Sequence, residues 1–426
     1  MKRRSTLFVV FLTALAAALA QSPLSDDADE IRAKLREMTR EQRAAWMRAR
    51  PIEEVRALQA KMSAPRDAAL AKDPFTGVTT DGNLVHGLFP IRQTGVSTRP
   101  VLEAAQGFLK ALTPQQRSKT KFAVDDPEWR KWMNQHFYRR QGVGFDEMSS
   151  SQREAAFNLL RAALSPKGFK LSRDIMRLNH TLGELAFDNF AEYSEWLYWM
   201  TVMGEPSESE PWGWQIDGHH LIINYFVLGD QVVSTPLFVG SEPVIARGGK
   251  FKGVSILQDE QDRGLDFVRS LTNEQREKAI LSSSKTRNNN VSEAFKDNVQ
   301  LDYAGLRANS LDPQQKSALV ELISLYTGNI RNGHAEIHLA DIEQRLDDTY
   351  FAWIGGTESD SVFYYRVHSP VVLIEFDHQG PAGLPHIYER GKPMRDHIHA
   401  VVRTPNGNDY GKDLLRQHYE RHPHGD

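Results

Sequence analysis

Cysteine is absent from all 426 residues. That absence removes disulfides, thiolate metal sites, iron–sulfur clusters and cysteine nucleophiles together. An excess of charge is also missing. The chain carries 52 Lys and Arg against 55 Asp and Glu, a formal net charge of −3, so no overall basic field points to nucleic acid. Three familiar signatures are missing as well: a Gly-x-Ser-x-Gly elbow, a Walker loop, and a Gly-x-Gly-x-x-Gly following a strand. Gly248-Gly249-Lys250 reads as a loop turn and Asn288-Asn289-Asn290 as a solvated loop. Beyond the N-terminus no stretch is long and apolar enough to span a bilayer.

The N-terminus is a leader. Met1-Lys2-Arg3-Arg4 is basic, Leu7 to Ala20 is apolar, and Ala18-Leu19-Ala20 before Gln21 fits a small-x-small cleavage site. Residues 1–20 are therefore set aside as a signal peptide, and the mature protein is expected to be periplasmic or secreted. With no cysteine after the cleavage site, a lipid anchor of the lipoprotein kind is excluded.

A hydrophobic content of 40% suffices for a large core. One local pattern recurs: a Thr, Ser or Asp followed three positions later by Gln. It appears at Thr39/Gln42, Thr113/Gln116, Ser149/Gln152, Thr272/Gln275 and Asp312/Gln315. In each, the first side chain can cap an orphan backbone N–H and the Gln can reach back, so each predicts a helix start. Pro114 and Pro313 stand at the first helical position, where a missing N–H costs nothing. The spacings are irregular, so the pattern reads as repeated capping chemistry and not as a solenoid.

Residues 21–73 read as a charged helical arm, broken near Pro51, and 74–98 as a linker or extended loop. Residues 100–424 read as a single α+β domain, helical over 100–203 and sheet-bearing over 204–424. The aromatic cluster Trp196, Tyr198 and Trp199 reads as core packing. Strands are expected over 212–228 and 231–238, joined at Gly229-Asp230, and again over 350–355, 362–368 and 370–378. Helices are expected over 259–283, 312–327, 335–347 and 409–421. Helices and strands do not alternate, which predicts a mostly antiparallel sheet in the C-terminal half, packed by helices.

The chemistry concentrates on strands. In Asp396-His397-Ile398-His399-Ala400-Val401-Val402-Arg403, alternation places His397, His399 and Arg403 on one face with Val401 between them. Two imidazoles side by side on a rigid strand make half of a metal site. A second pair, His219 and His220, follows Gly218. Simple alternation turns only one of them inward, with Asn224 on the face of His220, though a bulge would undo that inference. Gly218 can permit close backbone approach.

Glu375 and Asp377 share a face of an apolar strand, where a buried carboxylate needs a partner or a metal. Glu375 is a candidate ligand or general base, or else an ion-pair partner of Arg366. Asp409 reads as a helix N-cap, and His418 further along can face the same site. His334 and His338 are spaced i, i+4 around Glu336, which is not the metalloprotease order. His422 and His424 read as solvent-exposed. Together these residues predict a divalent transition metal, zinc favoured, with copper or iron open, held by one or both of His219 and His220, by His397 and His399, and by His418. Glu375, Arg366 and Arg403 are the candidate catalytic groups, the arginines for an anionic small-molecule substrate. The activity so implied is a metal-dependent hydrolase. The alternatives are a copper- or iron-dependent oxidoreductase, a non-enzymatic periplasmic metal or small-molecule binder, or a metal-free polar network.

Several of these segments also resemble a bacterial family called domain of unknown function 3500. The likeness runs through Trp212-Gly213-Trp214, Gly218-His219-His220, Thr235 to Gly240, Phe363-Tyr364-Tyr365-Arg366 and Ile374-Glu375-Phe376-Asp377. It continues through the His397–Arg403 strand, Asn408-Asp409-Tyr410-Gly411 and His418. It covers about residues 100 to 420. Asp396 stands where Asn is usual. The resemblance implies that these residues belong to one shared design, and it carries no activity, substrate or cofactor.

Overall fold

In the computed structural model, residues 28–422 are described; the expected leader over 1–20 and His424 lie outside them. The arm forms α1 (Ala28–Glu37), α2 (Arg40–Arg48) and α3 (Ile52–Leu70), with Pro51 as the N-cap of α3. After an extended stretch come α4 (Arg99–Ala111), α5 (Pro114–Thr120), α6 (Ser150–Ala163) and α7 (Pro166–Leu185). Later in the chain lie α8 (Gln258–Ser270), α9 (Asn273–Ala279), α10 (Pro313–Thr327), α11 (Asn332–Glu343) and α12 (Lys412–Arg421). All five Thr/Ser/Asp-to-Gln pairs close reciprocal capping boxes. The expected helix over 259–283 is two helices, because Thr272 and Gln275 start a new one.

The strands are β1 (Lys121–Phe122), β2 (Val143–Gly144), β3 (Tyr198–Met203), β4 (Trp212–Gly218), β5 (Leu221–Leu228), β6 (Gln231–Val233) and β7 (Leu237–Ser241). They continue with β8 (Ile280–Ser282), β9 (Leu306–Arg307), β10 (Tyr350–Gly355), β11 (Phe363–His368), β12 (Leu373–His378) and β13 (Ile398–Arg403). They join one mixed, mostly antiparallel sheet in the order β1-β3-β4-β5-β7-β13-β12-β11-β10-β8. The class is α+β, as the strand and helix runs of the sequence imply.

That order is palindromic in architecture. The series α4-α5-β1-β2-α6-α7-β3-β4-β5 is matched by α8-α9-β8-β9-α10-α11-β10-β11-β12. In both halves a parallel edge strand and a short antiparallel strand flank the first long strand, at β1·β3·β2 and at β8·β10·β9. Even the cap glutamines repeat. Gln152 donates to Gln116 at 2.7 Å, and Gln315 donates to Gln275 at 2.8 Å. Four of the five capping boxes thus belong to an internal duplication, and the two halves meet antiparallel at β7·β13.

Alternation along the strands sorts the two faces. Ile398, Ala400 and Val402, with Leu221, Ile223, Leu237 and Val239, pack beneath the helices α4, α6, α7, α8, α10 and α11. Val401, Phe238, Ile222 and Phe226 face the opposite side, against Trp129, Trp132, Tyr410 and α12. On that second side the covering is mostly loop, and there the histidines lie. No helix among the described residues is long and apolar enough to cross a membrane.

Candidate metal centre

The expected strand pair behaves as its alternation requires. His399 shares its face with Val401 and Arg403, and the ring of Phe238 on β7 lies edge-on to it at 4.9 Å. The partner histidine arrives differently. Gly218 and Leu221 are cross-strand neighbours, so His219 and His220 are the two residues of a tight turn. His220 sits in the left-handed region at φ 63°, a conformation that costs a non-glycine residue on the order of 1 kcal/mol and marks a local constraint. Alternation therefore does not apply there. Gly218 is needed for close approach, since a Cβ would fall 2.0 Å from the Tyr198 ring. The Tyr198 hydroxyl fixes the turn by donating to the His219 carbonyl at 2.9 Å.

The result is convergence of three buried imidazoles. The Nε2 atoms of His220 and His399 are 3.0 Å apart, those of His397 and His399 3.0 Å, and those of His397 and His220 3.3 Å. Their tautomers follow from their other nitrogens. Nδ1 of His399 faces Oε1 of Glu293 at 2.6 Å, and Nδ1 of His397 faces the Gly380 carbonyl at 2.8 Å. Both partners can only accept, so both Nδ1 atoms carry the proton. Burial pushes His397 down to about 4 and His220 well below the ordinary imidazole range, which keeps these rings neutral. Glu293 is held ionised, below the usual carboxylate range: burial raises it, and His399 and the surrounding hydrogen bonds outweigh that.

Three other buried carboxylates build the surroundings. Asp377, the cross-strand partner of His399, accepts from Lys285 at 2.5 Å and from the amide of Asn289 at 2.6 Å. Glu375 accepts from the amides of Val291 and Ser292 at 3.0 and 2.9 Å and from the Tyr364 hydroxyl at 2.8 Å. Together they pin the 285–293 segment across the sheet and deliver Glu293 to His399. Glu242 does the same on the other side: it accepts from the amides of Gly383 and Leu384 at 2.6 and 3.0 Å, beside Gly380. The Asn288–Asn290 run is a clamped strap in this structure, not a free solvated loop.

The remaining expected site residues lie elsewhere. His219 stacks on His220 at 4.0 Å but turns Nδ1 to Asn179 at 2.8 Å, and it stays outside the triad. His418 faces Glu210 at 3.5 Å and lines a separate cleft with Arg421, because α12 crosses the sheet face away from the β4–β5 turn. Arg403 is fully buried over Trp132; it pairs with Asp297 at 2.8 Å and donates to the Ser292 carbonyl, so it anchors the strap. Arg366 is a backbone neighbour of Glu375 but sends its guanidinium to the Asp302 carbonyl at 3.3 Å. His334 donates from Nε2 to the Asp230 carbonyl at 3.1 Å and lines a different cleft. Neither Arg366, Arg403 nor Glu375 lines the cleft over the triad.

That cleft, of ≈ 530 Å³, is lined by the triad, Glu293, His136, Tyr193 and Phe137, by the 379–391 loop, and by Arg40 and Arg43 of α2. Sequence reading missed Glu293, His136 and the arm's arginines. Each sits on a loop or helix with no periodic signal tying it to the histidine strand. Residues 94–412 match the family described as Protein of unknown function (DUF3500). Neither the curated proteins nor the solved structures contain a match.

Proposed function

The chain belongs to the DUF3500 family of proteins of unknown function, and we propose that within it this chain is a metal-dependent enzyme, with His220, His397 and His399 as ligands and zinc as the favoured ion. The observation that carries the reading is geometric. Three buried imidazoles bring their Nε2 atoms to within 3.0–3.3 Å of one another, the arrangement of donors that share one cation. A tetrahedral zinc with Zn–N near 2.05 Å separates its ligand nitrogens by about 3.3 Å, close to the spacings here. The Nδ1–H donations to Glu293 and Gly380 supply the outer hydrogen bonds that metal-bound histidines use to fix their rings.

Three protein ligands beside a cleft favour a catalytic over a closed structural site. The ion supplies Lewis acidity and lowers the pKa of a bound water, which favours hydrolysis. His136 stands in the same cleft, near the triad's His219–His220 turn, as a candidate proton-transfer group. The all-imidazole set also accommodates copper or iron, and then oxidation is the expected chemistry. The basic-then-apolar leader supports export, where either metal would be acquired outside the cytoplasm.

Elemental analysis of the purified protein beside His397→Ala/His399→Ala tests this directly. Near-stoichiometric metal in the parent, lost in the variant, is expected, and the element distinguishes hydrolytic from oxidative chemistry. No metal in either protein, even after reconstitution with zinc, copper or iron, would sink the proposal.

A further inference from the structure

One wall of the cleft comes from outside the family-matched residues. Helix α2 of the arm places Arg40 and Arg43 there, and the 379–391 loop places Arg390 at the rim. The charged side chains lining the cleft, histidines apart, are these three arginines and Glu293.

The balance is more lopsided than three against one, because Glu293 is already engaged by His399. Arg43 is paired with Glu192 and lies 3.4 Å from His136, yet its Nε is a buried donor with no acceptor. Arg40 commits one N–H to the Ala382 carbonyl at 2.5 Å and has no carboxylate partner among the described residues. Arg390 is exposed and unpaired, its neighbour Glu389 being taken by Lys392 at 2.9 Å. Guanidinium groups with spare donors in a concave site are suited to a carboxylate or phosphate, whose oxygens accept bidentately.

We infer that this cleft binds a small oxyanion-bearing molecule, with Arg40 and Arg390 receiving the anionic group, and that the arm is a substrate-binding element. The inference names the substrate class for the site of the proposed function and rests on that cleft being the place of action. Arg366 and Arg403, the arginines the sequence suggested for this task, are committed to structural contacts.

Calorimetric titration with inorganic phosphate and with citrate, as separate arms, tests the inference on the full-length protein at low salt. The parent is compared with Arg390→Gln, Arg40→Gln/Arg390→Gln and the distant control Arg99→Gln. Expected is binding of at least one probe, weakened at least tenfold in the double variant, less in Arg390→Gln, and unchanged in Arg99→Gln. Which probe binds identifies the oxyanion as phosphate or carboxylate. No binding of either probe to the parent, or equal binding by all variants, overturns the inference. Arg390 is a rim residue, so its single variant keeps the test valid should the double variant misfold. Metal content is measured on the same preparations. Anion binding that depends on these arginines in a protein without metal would remove the metal reading and leave this one standing; normal metal with no anion binding would do the reverse.

Discussion

At the scale of single residues, the triad depends on groups that never touch the proposed ion. Glu293→Gln keeps the shape of the side chain but removes the charge that holds the His399 proton on Nδ1. Metal affinity, measured by chelator competition, is expected to fall about 10- to 100-fold with the fold intact; an unchanged affinity would show that Glu293 does not orient His399. His368 gives a different signal. It is almost fully buried with Nδ1 unpartnered, and burial, with Arg366 nearby, pushes it to about 3. Below about pH 6.5 the unfolded chain protonates at this histidine and the folded chain does not, so stability falls with falling pH. The loss is about 1.4 kcal/mol per pH unit down to the folded value, or about 2 kcal/mol between pH 6.5 and 5. Urea unfolding at pH 7 and pH 5 is expected to show a smaller drop for His368→Gln than for the parent.

The same residues show what a sequence makes legible. His397 and His399 were readable because the period of a strand is two and nothing interrupts it. The choice between His219 and His220 was not readable: two adjacent residues in a turn do not alternate, and no local pattern announces a left-handed histidine. Glu293 was invisible, since it stands 106 positions from its partner on a segment without periodicity.

At the scale of elements, the carboxylates on β12 act as clamps. Asp377 and Lys285 are both fully enclosed. Asp377→Ala strands a buried ammonium and frees the amides of Asn289 and Asn290, at a cost of about 3–5 kcal/mol. Hydrogen exchange is expected to show the strap opening before the sheet, with metal retention failing alongside it. Retained protection at Asn289 and Asn290 in the variant would refute the clamp. The capping boxes were the most legible elements of the chain because each is complete within four residues. The duplication that four of them belong to was not, since matching caps are separated by loops of unequal length and only the glutamine contacts between helices reveal the pairing.

At the scale of the molecule, the arm and the sheet are held by different forces. The arm has its own small core of Leu35, Trp46, Met47, Val55 and Leu58, to which Ala191 is the main-body contributor. It docks largely through polar groups: Arg43 to Glu192, Arg56 to Asp146 at 2.9 Å, and Tyr138 to Asp67. Ion pairs at such an interface weaken with salt, whereas the buried sheet core does not depend on them. Raising ionic strength is therefore expected to speed chelator removal of metal before it lowers thermal stability. A rate independent of salt would mean the arm does not guard the cleft.

The placement of the three ligands also fixes when an ion can be bound. His220 and His399 are 179 positions apart, and they meet only after β5 and β13 have both paired with β7. A nascent or half-assembled chain offers the His397–His399 pair alone, too few donors to retain an ion against a competing chelator. On the proposed metal reading, uptake is a late event that certifies completion: each molecule carrying a tightly held ion would already have joined its two halves, and those that have not could be counted by what they lack.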